Sequence, residues 1–62
     1  MDIESERKSI YELVDKSKYH AAMNIAISAV NECRRDKNQA GVDSFLDVIK
    51  NIANRMAEEY GS

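Results

Sequence analysis

One cysteine, one histidine and a short basic run are the residues of this chain with chemistry to offer. Cys33 could act as a nucleophile or redox thiol, with the cations Arg34 and Arg35 beside it in sequence. No spacing places a base beside it, and it continues a stripe begun by Ala26 and Ala29. An unpaired cysteine on such a stripe behaves as a small hydrophobe, so Cys33 reads as core. His20 lies between Tyr19 and Ala21, with Lys16 and Asn24 at i±4 where a carboxylate would have to stand to orient it. It reads as structural or solvated. Glu58 and Glu59 are adjacent and diverge on a helix, which excludes a carboxylate pair for acid–base work. Gly-rich phosphate loops are absent. The expectation is therefore no enzyme, no metal, no cofactor and no small-molecule substrate.

Arg34, Arg35 and Lys37 could touch phosphate or an acidic partner. Asp36 interrupts them, and cations suit the negative end of a helix, so a solvated helix end is the preferred reading. The 62 residues carry 9 basic and 11 acidic side chains, a net charge of −2. That balance suits a soluble protein and makes nucleic acid an improbable partner, since phosphate binding needs clustered Lys and Arg. The acidic N-terminus has no apolar run of the signal-peptide kind. The stretch from Ala21 to Val30 is far shorter than the ~20 residues that cross a bilayer, so no membrane is expected. A single unpaired cysteine fits a reducing compartment, and the expected location is the cytoplasm.

These residues must be positioned by helices. Proline is absent and the two glycines fall at positions 41 and 61, so nothing in residues 2–40 forces a helix to stop. In the first segment, about residues 3–14, Ile3, Ile10 and Val14 share a face. Ser9 and Glu12 have capping-box spacing, which allows a start there behind a frayed acidic tail. At Asp15-Lys16-Ser17-Lys18 either a new helix is capped or the first runs on to about residue 37. A break is preferred, because the polar stretch interrupts the apolar pattern for a full turn. The second segment, about residues 18–37, is polar along one narrow stripe of Asn24, Ser28, Asn31 and Arg35 and apolar elsewhere. Gly41, within the turn 38–42, is expected in the left-handed conformation, with Asp43 or Ser44 capping the next helix. The third segment, residues 43–60, is an ordinary amphipathic helix: Val42, Phe45, Ile49, Ile52 and Met56 step by three or four. The fold class is all-α, an antiparallel helical hairpin or a small three-helix bundle.

Two stretches resemble known families. Ala40-Gly41-Val42-Asp43-Ser44 resembles the turn of helix-turn-helix DNA readers, in which Ala-Gly-Val-Ser opens the recognition helix. That pattern asks for an apolar residue five places beyond the valine, where this chain has Asp47; Asp43 and Asp47 would also face phosphates. The stretch from Leu13 to Val30 resembles a tetratricopeptide unit, with Tyr19, Ala22 and Ala29 matching its tyrosine and two small residues. Ser17 replaces the turn glycine and Ala26 stands where a large residue is usual. The resemblance implies closely packed helices rather than membership, since one such unit does not stand alone.

A chain this short buries roughly 60% of its unfolded surface and is marginal by itself. The second segment is apolar over more of its girth than one neighbouring helix can cover. The sequence therefore predicts a homo-oligomer sharing Ile10, Val14, Met23, Ile25, Ile27 and Val30. Its function would be to bind another protein, in a regulatory or accessory role such as small chains of mobile elements carry. The alternatives are a dimeric nucleic-acid regulator using Arg34, Arg35 and Lys37, and an autonomous monomeric three-helix domain.

Overall fold

A computed structural model describes residues 2–61, in the order α1 (Ile3–Asp15), α2 (Tyr19–Arg35) and α3 (Gln39–Tyr60). All regular structure among the described residues is helical. The break at residues 16–18 makes the fold three-helical, and the single-rod alternative is not what forms.

α1 begins at Ile3 rather than at Ser9, because Asp2 supplies the cap. Its carboxylate accepts from the backbone of Glu4 at 3.2 Å and from the Ser5 hydroxyl at 2.9 Å. Those bonds satisfy donors that a helix start leaves orphaned and hold the Asp2 carboxyl below the usual carboxylate range, the Ser5 hydroxyl contributing most. Ser9 lies inside the helix.

Both turns use one device. The N–H of Lys18 donates to the Leu13 carbonyl at 2.9 Å and that of Ser17 to Val14 at 2.9 Å. Asn38 donates in the same way to Cys33 at 2.8 Å, and Lys37 to Arg34 at 3.1 Å. These are paired 6→1 and 5→2 closures, which put the residue after the helix in the left-handed region. Ser17 (φ 61°) and Lys37 (φ 57°) occupy it. The expectation for Gly41 was wrong: it has no positive φ and belongs to the first turn of α3. The helix starts earlier than residue 43 because Asn38 caps it, its side-chain oxygen accepting from the Gly41 N–H at 3.0 Å.

The core follows from the apolar spacing. α1 contributes Ile10 and Val14; α2 contributes Tyr19, Ala22, Ala26, Ala29, Val30 and Cys33; α3 contributes Val42, Phe45, Val48 and Ile52. Phe45 is the largest fully buried side chain. The α2 residues step by three and four, and their alanines let the neighbouring helices approach closely.

Candidate interaction surface

α2 and α3 run antiparallel, joined at both ends of their seam. At one end the Tyr19 hydroxyl donates to the Glu59 carboxylate, and the Tyr19 and Tyr60 rings meet edge-on with centroids 6.1 Å apart. The bond to Glu59 raises the Tyr19 phenol above its ordinary range, since ionising it would set two anions together. At the other end Gly41 lies against Cys33: a Cβ on Gly41 would stand 2.6 Å from the Cys33 sulfur. Glycine is needed there for close approach, not for backbone freedom.

α1 covers one side of this pair. The Tyr11 hydroxyl accepts from the Asn51 amide at 3.0 Å, and Arg55 lies 3.6 Å from Asp15. Asn51 and Arg55, four residues apart, therefore mark the flank of α3 that faces α1. The opposite flank of α3 carries Leu46, Ile49, Lys50, Ala53 and Ala57, by the ~100° advance per residue of an α-helix. Because α2 is right-handed and antiparallel to α3, its flank on that same open side carries Met23, Ile27, Val30 and Arg34.

The six residues expected at a shared surface are thus divided. Ile10, Val14 and Val30 are buried in the chain's own core, the first two because α1 folds back onto α2 instead of standing free. Met23 is half-buried against that core. Ile25 and Ile27 are exposed, but residues two apart on a helix are separated by about 200°, so they do not share a surface. Ile25 borders α1, while Ile27 faces the open side. Leu46, 44% exposed against 45% for Ile27, completes the open side, although its spacing would allow it to widen the apolar stripe of α3. What places it outside is the position of α1, for which only the two polar residues at Asn51 and Arg55 give a signal.

Among the large apolar side chains of the middle helix, Ile25 and Ile27 are exposed. The chain exposes 4250 Å², close to the roughly 4000 Å² typical of a folded monomer of its mass. The apolar surface that remains is distinguished by its distribution rather than its amount.

The residues with chemistry to offer are scattered. Cys33 is buried under Gly41, and His20 is exposed. No group of three metal-ligating side chains and no pocket occurs among the described residues. No helix among them is long and apolar enough to cross a membrane. Arg34 and Arg35 are exposed but point about 100° apart, and Lys37 sits in the turn, so the three cations do not converge. Gly41 and Val42 lie within a helix rather than in the turn before one, which departs from the helix-turn-helix arrangement. The tetratricopeptide resemblance fares differently at one point, since Ser17 does adopt the left-handed conformation of the glycine it replaces. Against protein-family models, curated proteins and solved structures, the chain finds no match.

Proposed function

We propose that the chain is a protein-docking module whose working surface is the open side of the α2–α3 pair. The observation that carries this reading is that Ile27 and Leu46, each nearly half exposed, project from two helices toward one side. Met23 and Ile49 lie half-buried beside them, and Ala53 adds small apolar surface. A contiguous apolar face with polar surroundings is the usual form of a protein contact. The module acts by binding alone, in a regulatory or accessory role in the cytoplasm, where its unpaired thiol would stay reduced.

Two occupants satisfy such a surface, a second copy of the chain or a different protein. A tagged chain recovered from its host, set beside Ile27→Asp with Leu46→Asp, tests the reading. The partner retained by the wild type should be lost by the variant while helicity is kept. Equal recovery by both would sink the proposal. Cys33→Ser and His20→Ala should leave the interaction intact.

A further inference from the structure

We infer that the open side is covered by a second copy of this chain, about a two-fold axis that runs α3 antiparallel to the partner's α3. The inference rests on the docking reading above and names its occupant. What carries it is the outer edge of α3, where Asp43 stands three residues before Leu46 and Lys50 four residues after it, all exposed. Seven residues are close to two turns, so Asp43 and Lys50 lie within about 20° of each other on the helix. They are about 10 Å apart along its axis, too far to meet within one copy. Neither takes part in an ion pair within the chain among the described residues. Asp43 accepts from the Gln39 amide at 2.9 Å through one carboxylate oxygen, Oδ1. Asp47, about 60° beyond Lys50, points outward from the strip.

Taken antiparallel, this edge is its own complement. A two-fold axis opposite positions 46 and 47 sets Asp43 against the partner's Lys50 and Lys50 against the partner's Asp43. The same axis lays Leu46 on the partner's Leu46. Across the seam, where Gly41 lies against Cys33 and Tyr60 against Tyr19, that level of α3 stands beside Ala29 of α2, so Ile27 closes on the axis as well. The centre of the contact is then aliphatic and its rim carries two reciprocal ion pairs. Arg34 and Lys50 balance Asp43 and Asp47 on the open side, so pairing it with itself gathers no surplus of one sign. An unrelated protein would have to reproduce both signs at this spacing, whereas a second copy supplies them by symmetry. The strip is about three turns long and two helices wide, on the order of 500 Å² per copy with its rim. A standard interface buries roughly 800 Å² per partner, so this dimer is weak and concentration-dependent. Dilution releases a folded monomer, since the core residues are buried within a single copy.

The test is sedimentation of the whole chain from about 5 μM to about 1 mM, over which monomer should give way to dimer. Ile27→Asp with Leu46→Asp should stay monomeric throughout. Ile27→Ser with Leu46→Gln takes its place if circular dichroism shows that the aspartates impair folding. Asp43→Lys and Lys50→Asp should each weaken the dimer about tenfold, because each sets like charges together twice. Mixing those two variants, or joining both changes in one chain, should restore it, since opposite signs face each other again; a merely structural loss would not be rescued. A chain that is monomeric at every concentration, or a dimer indifferent to Ile27 and Leu46, would overturn the inference. So would a dimer that survives both charge reversals, which would exclude the antiparallel pairing. Co-sedimentation of a monomeric chain with phosphatidylserine–phosphatidylcholine vesicles, lost in the aspartate variant, would overturn it in favour of lipid. Capture of a host protein by a monomeric wild type and not by that variant would overturn it and leave docking standing, whereas equal capture by both would remove the docking reading too.

Discussion

The two sides of the α2–α3 pair are built from the same helices and end differently. On one side α1 fills the groove with Ile10 and Val14, which retain 0% and 2% exposure, and two polar contacts, Tyr11 with Asn51 and Asp15 with Arg55, close the edge. On the other side, Ile27 and Leu46 remain nearly half exposed, with no third helix laid over them. The contrast shows that a helix pair with small residues at its seam leaves two grooves, and that the chain supplies a lid for only one. Burial on the first side is worth stability to the chain itself; apolar area on the second can only be repaid by something else.

The sharpest way to break this contrast is to truncate an aliphatic on each side. Ile10→Ala should lower the unfolding free energy by about 3 kcal/mol, because it removes a fully buried side chain and leaves a cavity. Ile27→Ala should change it by less than ~0.5 kcal/mol, the usual scale for an exposed position. Urea titrations of the two variants give both values; equal losses would mean that the open side is closed in solution.

The seam shared by both sides can be tested at Gly41. Gly41→Ala places a methyl 2.6 Å from the Cys33 sulfur and 2.9 Å from the Asn38 amide nitrogen, and should cost about 1–3 kcal/mol through overpacking. Combining it with Cys33→Ala should cost less than the two changes summed, the mark of a contact between them. Additive losses would mean that the strain lies elsewhere.

Smaller effects come from the turns that place the helices. Ser17 and Lys37 hold left-handed backbone that glycine adopts without penalty. Ser17→Gly and Lys37→Gly should each raise stability by about 0.5 kcal/mol, less than the full backbone strain because glycine also gains freedom in the unfolded chain. A fall in melting temperature for either would show that the side chain is engaged.

The smallest effect is a pH step. The phenol of Tyr19 is raised in the folded chain by its bond to Glu59, so the protonated form is favoured by folding. The sign follows from linkage: the contribution is fully present below the pKa of an unfolded tyrosine and is lost as pH rises through the raised value. Tyr19→Phe should flatten this alkaline limb of the stability curve, followed by circular dichroism in moderate urea. An unchanged limb would mean the bond contributes nothing in solution.

Much of this was legible residue by residue. The apolar stripe of α3 through Phe45, Ile49 and Ile52, the small-residue stripe of α2 through Ala22, Ala26 and Ala29, and the interruption near Ser17 are periodic or compositional signals. Such signals survive any arrangement of neighbours. Gly41 misled because a glycine between two helical patterns ordinarily marks left-handed backbone, whereas here a lysine takes that conformation and the glycine admits a sulfur atom. Nothing local separates those two uses, since one depends on the residue's own φ and the other on an atom eight positions away in the chain. Ile25 and Ile27 were grouped for a related reason: both are apolar on a helix apolar nearly all round, and such a pattern does not choose an outward direction.

Sequence alone determined that this chain is helical and which residues are able to face a core, because those properties follow from propensity and period within a single segment. Tertiary structure alone decided which groove α1 occupies, and with it which aliphatics are sheltered and which are left exposed. Every helix carries apolar residues on more than one flank. The choice among flanks is made by packing and by contacts such as Tyr11 with Asn51, forty residues apart along the chain.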